Sequence, residues 1–245
     1  SLYQHISHHL DKLCQFYNFD VKATIDKYLT FTERYLDNFK TFQKTGLYPA
    51  KISSDVMGFS RATYDVFLVV SALITPHRFN IMSKFYDDSK LLNSGMRILV
   101  IGVGSGLELC VLNLKEVMID SYDIEESRFV SKSFPGVAFH YEEFLGNEKE
   151  IYDAVIAIEV LEHLAEPCSL IRAIRRAIKS DGICLLTTAT DVPQFDHLYN
   201  FTDSEKFTGQ IENIGFTVEE SFEIPHKYLL AKASAKNTYY RLRVC

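Results

Sequence analysis

Tryptophan is absent from this chain of 245 residues, and glycine and proline are scarce, at 11 and 6. That scarcity excludes collagen-like and Pro/Gly-rich disordered classes. Cysteine is little used. Cys14, Cys110, Cys168, Cys184 and Cys245 are odd in number, scattered, and form no CxxC pair, so neither a disulfide framework nor a zinc ribbon fits them. Cys110 and Cys184 lie inside apolar runs, where a free thiol behaves as a small hydrophobe. No apolar stretch approaches the ~20 residues that a membrane-spanning helix needs. With no secretory leader pattern either, the expectation is a reduced, cytoplasmic protein. Positive charge is the minority sign: 26 Lys and Arg face 32 Asp and Glu, a formal charge of −6 without a long basic run. Phosphate neutralisation drives non-specific nucleic-acid binding, so this balance argues against a nucleic-acid partner.

What is present is ordinary globular material, 47% hydrophobic, 24% charged and 13% aromatic. A chain of this length buries a full core without cross-links or metal. Between residues 21 and 42, Ile25, Tyr28, Leu29, Tyr35, Leu36 and Phe39 return every three or four positions, as one helix face does. Gly46 and Pro49 break that pattern, and further helices are predicted over 4–16, 55–73 (stopping before Pro76) and 82–92. From Met96 the rhythm changes. Short apolar runs predict strands over 97–101, 116–122, 137–141, 154–158, 182–188, 216–222 and 228–233. Helices are predicted between them over 107–114, 125–134, 167–178 and 204–214. Such alternation predicts an α/β fold, a doubly wound, mostly parallel seven-stranded sheet covered on both faces, with an N-terminal helical extension. The chain thus divides into a helical region, 1–92, and an α/β domain, 93–245.

The strongest local signal is Gly102-Val103-Gly104-Ser105-Gly106, directly after a predicted strand and opening a helix. Glycine there permits the tight turn and lets the backbone approach a ligand that a Cβ would hold off. The dinucleotide fingerprint G-x-G-x-x-G needs glycine where Leu107 stands, so a nicotinamide dehydrogenase is the weakest reading. Asp123 ends the next strand ~20 residues on, where a carboxylate can accept both ribose hydroxyls of a nucleoside. Its bland alternative is a solvated strand end.

At these residues the sequence resembles the class I S-adenosylmethionine-dependent methyltransferases, over about residues 96–233. RILVIGVGSGLEL resembles the first motif of that family and YDIEES the second. HYEEFL, ahead of IYDAVIAIEVLEHLAEP, is similar to the stretch that flanks adenine and ends the fourth strand. AIKSDGICLLTT resembles the segment usually written L-x-P-G-G, with Ser180-Asp181 replacing Pro-Gly. The resemblance implies a Rossmann-like methyltransferase fold and S-adenosyl-L-methionine as cofactor. It places Gly102, Val103, Gly104 and Gly106 along the methionine and ribose portions and Asp123 on the ribose. Ile124 then packs on adenine, Glu143 and Phe144 flank it, and Glu159 sits beside the methionine end.

Glu159, Glu162 and His163 stand just past the fourth strand, at the edge where open α/β sheets bind ligands. Several readings are open. In one, Glu162 and His163 begin a helix whose dipole favours the acid. In another, His163 is a general base, an imidazole titrating near neutrality that takes the acceptor's proton during attack. In the third, Glu159, Glu162 and His163 ligate a divalent metal, Mg or Zn, with His197 as the further ligand from the loop after the fifth strand. The E-x-x-E-H spacing resembles that of metal-dependent small-RNA 2′-O-methyltransferases and of ubiquinone-pathway O-methyltransferases. His197 is also a candidate base, and Tyr199 a candidate wall of an acceptor pocket; an ordinary capped loop is the alternative. His5, His8 and His9 read as a solvated helix face.

Helices placed before such a sheet often cross its ligand edge. Tyr28, Tyr35, Tyr48, Tyr64 and Phe67 would then form an apolar acceptor pocket with hydroxyl handles. Plain core and a homodimer interface are the alternatives. The expected function is biosynthetic: methyl transfer to an oxygen or nitrogen of a small molecule, aligned by the fold and assisted by His163 or His197. The rivals are a metal-dependent RNA 2′-O-methyltransferase and a non-catalytic binding module that keeps the fold.

Overall fold

Alternate residues of the central strands are apolar on both sides, and both sides are covered. The computed structural model describes residues 1–48, 59–112, 116–147, 149–194, 196–227 and 234–245. Its strands are β1 (Arg97–Ile101), β2 (Met118–Tyr122), β3 (Val137–His140), β4 (Tyr152–Ala157), β5 (Ile178–Thr190), β6 (Phe216–Pro225) and β7 (Lys236–Val244). They form one seven-stranded sheet in the order β3-β2-β1-β4-β5-β7-β6. β1 to β5 are parallel, with Ile98 opposite both Ile119 and Ala154, while β7 runs antiparallel between β5 and β6. The expected mostly parallel, seven-stranded sheet is therefore found.

The helices are α1 (Leu2–Tyr17), α2 (Val21–Thr45), α3 (Arg61–Ile74), α4 (Pro76–Asp88), α5 (Leu107–Val111), α6 (Arg128–Ser133), α7 (Pro167–Ala177) and α8 (Ser204–Ile214). Period-two alternation sorts the strands onto two layers. Ile98, Val100 and Ile156 join Ile6, Leu13, Val66, Val69 and Phe85 of α1, α3 and α4 in one apolar cluster. Leu99, Val155 and Leu186 pack on the opposite face against Ile171 and Ile174 of α7 and Phe207 and Ile211 of α8. Three of the N-terminal helices thus complete the sheet's own core.

α2 behaves differently. Asp20 caps its start, accepting from the Ala23 amide at 2.7 Å, and Gly46 ends it in the left-handed conformation. Near its start Tyr28 and Phe31 meet Phe67 of α3, and near its end Phe39 clusters with Ala189 and Val192 beyond the core of β5. The helix therefore crosses the carboxyl ends of the parallel strands, with Ile25 and Leu29 exposed on it. Among the described residues no single helix is long and apolar enough to cross a membrane.

Several boundaries move. α4 begins at Pro76 rather than 82, because proline suits a first helical position, where no amide bond is lost. α3 begins at Arg61, after Ser60 accepts from the Thr63 amide; residues 55–58 of the predicted helix lie outside the described ones. The predicted strand over 228–233 also lies outside them. Lys236–Val244 is a strand that no prediction covered, because its arginines conceal it from an apolar-run criterion: Arg241 and Arg243 pair with Glu219, while Tyr240 and Leu242 are buried.

Candidate active site

The glycine loop leaves β1 with Gly102, Gly104 and Gly106 all left-handed, at φ +71°, +48° and +76°. A Cβ on Gly102 would stand 2.4 Å from Val160 Cγ2, and one on Gly106 would stand 3.0 Å from Phe134, so both positions require glycine. The Gly104 amide donates to Asp123 Oδ2 at 2.9 Å, and the Glu125 amide donates to Oδ1 at 3.0 Å. Loop and acid are thereby locked together at adjacent strand ends. Ile124, 78% exposed, stands on the cavity rim; Phe144 is buried edge-on against Tyr122, and Glu143 and Val103 line the same cavity.

Two further clamps hold the loop, and sequence reasoning missed both. His9 of α1, expected on a solvated face, is buried and donates Nε2–H to the Ser105 carbonyl at 2.8 Å. Arg61 reaches from α3 to the Gly104 carbonyl (3.2 Å), Glu125 (2.9 Å) and Asp65 (2.8 Å), and lies 3.7 Å from Asp123.

Past β4, Glu159 takes φ +55°, a conformation a non-glycine residue adopts only when its surroundings hold it there. They do. The Glu159 amide donates to Thr187 Oγ1 at 2.7 Å, and its carboxylate accepts from Arg78 (2.9 Å), Asn237 (2.9 Å) and Thr187 (2.8 Å). Burial pushes this carboxyl up, but the Arg78 guanidinium and the Thr187 hydroxyl together outweigh it and hold the group below its usual range.

Glu162 and His163 lie in a 3-10 turn (Leu161–His163), not at the start of α7. The Glu162 carbonyl accepts from the amides of Leu198 and Tyr199 at 2.8 and 3.1 Å, which draws the loop after β5 against that turn. Side-chain ligand atoms of Glu162, His163 and His197 consequently lie within 4.8 Å of one another. Glu159, expected in the same ligand set, is not brought there, because its oxygens are committed to Arg78, Thr187 and Asn237. The rings of His163 and His197 meet edge to face at 5.0 Å. Asp196 links the cluster to α3: its carbonyl lies 3.1 Å from His163 Nδ1, and its carboxylate accepts from Tyr64 at 3.0 Å.

Burial dominates the electrostatics here. It pushes His197 down to about 4, with His163 adding to the effect. It pushes Glu162 well up, reinforced by the Glu159 charge, and Glu162 Oε2 is buried with no hydrogen-bond partner. For His163 burial works the other way from its neighbours, yet Asp196 and Glu162 outweigh it and the imidazole moves up. His197 Nδ1 lies 2.8 Å from the Val192 carbonyl, which fixes the proton there and leaves Nε2 as a lone pair.

One cavity of about 1520 Å³ contains both halves, the glycine loop with Asp123 and the histidine cluster. Tyr28, Phe31, Tyr35, Tyr64 and Phe67 line it from α2 and α3, whereas Tyr48 packs edge-on against Phe42.

A 3-2-1-4-5-7-6 sheet with its antiparallel seventh strand, and a glycine loop joined to an acid at the end of β2, define the class I methyltransferase fold. A family model described as a methyltransferase domain matches residues 76–221, and the chain belongs to that family. "Ubiquinone biosynthesis O-methyltransferase" of Pseudomonas savastanoi pv. phaseolicola is 25% identical over 127 residues, covering 48% of this chain and 55% of that protein. The mitochondrial protein of the same name from Bos taurus is 31% identical over 147 residues, covering 55% and 39%. The chain thus spans about half the length of the curated relatives it matches. Among solved structures, an O-methyltransferase of neocarzinostatin biosynthesis, in complex with S-adenosylmethionine and 2-hydroxy-5-methyl naphthoic acid, aligns with a TM-score of 0.61. It is 12% identical, covering 89% of this chain and 70% of that one. The N-methyltransferase NodS of Bradyrhizobium japonicum, with S-adenosylhomocysteine, gives 0.56 at 14% identity, covering 71% and 90%. A [4+2]-cyclase, SpnF, gives 0.55 at 14% identity, covering 66% and 80%.

Proposed function

We propose that the protein transfers a methyl group from S-adenosylmethionine to an oxygen or nitrogen of a small molecule. The observation that carries this reading is the single cavity joining a glycine-and-acid donor cradle to the histidine cluster. The donor supplies a methyl on a sulfonium, activated enough that alignment and water exclusion are the protein's main tasks. The left-handed turn that sets the backbone of Gly102 and Gly104 in the cavity wall fits a closely approached ligand, and Asp123 fits a ribose diol. Phe31, Tyr35 and Phe67 wall the other half with apolar rings, making α2 and α3 the acceptor-selecting part of the helical region. His197, neutral at pH 7, offers Nε2 to take the acceptor's proton, an effect of about 10²–10⁴ in rate.

One observation favours a second reading within the same activity. The partnerless Glu162 Oε2 beside two imidazoles is a donor set that fits a divalent cation, held by Glu162, His163 and His197, which would polarise the acceptor oxygen. The acidic balance and the ring-lined acceptor side speak against RNA as acceptor. Calorimetric titration of chelator-treated protein with S-adenosylhomocysteine tests the donor site. Saturable micromolar binding is expected, and absence of binding would reduce the protein to a module that keeps only the fold. Labelled-donor turnover of an acceptor library, with chelator or with added Mg²⁺ or Zn²⁺, then separates base from metal. Full activity in chelator removes the metal.

A further inference from the structure

Among the cavity's carboxyls that are not exposed, charge accounting leaves one over. Glu159 is paired with Arg78, Glu125 with Arg61, and Asp123 lies 3.7 Å from the same Arg61 guanidinium. Glu162 belongs to the histidine cluster. Glu108, in the first turn after Gly106, lines the cavity at 7% exposure and enters no ion pair among the described residues. The charges close enough to act on it are those of Arg78, Glu159 and Asp123, all of which line the same cavity. A donor of this class is built in the order adenine, ribose, sulfur, methionine. Its sulfur therefore lies between the ribose acid and the methionine end, in the cavity that Glu108 lines from the first turn after Gly106.

We propose that Glu108 reads the positive charge of the donor's sulfonium and so sets the preference for S-adenosylmethionine over S-adenosylhomocysteine. The proposal rests on the donor reading above. The two ligands share adenine, ribose and amino acid, and differ in a methyl and one positive charge. A buried carboxylate gains Coulomb energy from the cation that water would have screened, and gains nothing from a neutral thioether. Burial pushes the Glu108 carboxyl up to about 7, so a neighbouring cation is what holds it charged at neutral pH. Loss of the methyl removes that cation, which favours product departure.

The test is calorimetric titration of wild type and Glu108→Gln, a near-isosteric change, with each ligand. The variant is expected to lose about tenfold or more in affinity for S-adenosylmethionine, ~1.4 kcal/mol, while its affinity for S-adenosylhomocysteine stays within about twofold. Retained product binding also shows that the variant is folded. Glu108→Leu should repeat the result. An equal loss for both ligands, or no loss, overturns the assignment while leaving the donor site standing. Wild type that binds neither ligand overturns both.

Discussion

Gly146 presses the loop that carries Glu143 and Phe144 onto α7, and its backbone leaves no room for a side chain. Its φ is +65°, and a Cβ would stand 2.5 Å from the Ala173 carbonyl oxygen and 2.7 Å from the Ala173 Cα. Those are helix backbone atoms, so no rotamer change relieves the contact. The left-handed conformation costs an L-residue about 1–2 kcal/mol. Overpacking adds about 1–3 kcal/mol, giving roughly 2–5 kcal/mol for Gly146→Ala. Two other glycines separate these contributions. Gly46, capping α2 at φ +68°, has nothing within 4 Å, so Gly46→Ala should cost only the conformational ~1–2 kcal/mol. Gly209, inside α8, has open space and no positive φ, so alanine there should stabilise by roughly 0.5–1 kcal/mol. For a chain of this size each kcal/mol moves the midpoint of thermal unfolding by about 2–4 °C. Scanning calorimetry should therefore show Gly146→Ala falling by roughly 4–20 °C, Gly46→Ala by roughly 2–8 °C, and Gly209→Ala rising by about 1–4 °C. Gly146→Ala should also weaken S-adenosylhomocysteine binding, since Phe144 moves with the loop. A Gly146→Ala protein as stable as Gly46→Ala would refute the reasoning. It would mean that the loop lifts freely from α7 despite the Arg176 hydrogen bonds to the Leu145 and Gly146 carbonyls at 2.8 and 3.3 Å.

His163→Ala and His197→Ala should keep wild-type affinity for S-adenosylhomocysteine and lose about 10²–10⁴ in turnover of whichever acceptor a screen yields; unchanged turnover in both would remove the base. Stability should fall on the acid side. Burial pushes His77 down to about 2 and His197 to about 4, so below pH ~6.5 the unfolded chain binds protons that the folded one refuses. Glu108 acts in the opposite direction. Raised to about 7, its contribution is complete below its unfolded value of 4.5 and is lost as pH rises through about 7. Urea midpoints measured across pH should show His197→Gln flattening the slope between about 6.5 and 4, and Glu108→Gln flattening an opposing slope between about 4.5 and 7; slopes unchanged by either variant would refute the assignment.

The donor half was legible because its parts are local. A strand, a glycine turn, a helix and an acid at the next strand end lie within one short stretch, and parallel pairing of β1 with β2 sets the Gly104 amide 2.9 Å from the Asp123 carboxylate. The clamps were not legible, since each joins residues far apart in sequence: Arg78 to Glu159 across 81 positions, His9 to Ser105 across 96, Tyr64 to Asp196 across 132. Read singly, a histidine or arginine on an amphipathic helix looks solvated. Spacing also misled at Glu159. E-x-x-E-H suggests one ligand group, but a left-handed backbone at Glu159 directs its carboxylate toward α4 and β7 while Glu162 stays with the histidines.

Whether the histidine cluster performs chemistry or only completes the fold can be decided from what it costs. Glu162 is 1% exposed and one of its oxygens has no partner, a placement worth about 1–3 kcal/mol against the folded state. A module that had lost its reaction would gain by replacing it, since buried polar groups held at a stability cost mark functional sites. Glu162→Gln should therefore raise the midpoint of thermal unfolding. The gain should grow with pH, because the raised carboxyl of the wild type loses its contribution as it ionises. The same variant should lose turnover. If the cluster holds a cation, added Zn²⁺ should stabilise wild type and leave the variant where it was. A variant less stable than wild type at every pH would make Glu162 a structural residue, and the acceptor chemistry would then have to rest on His197 alone.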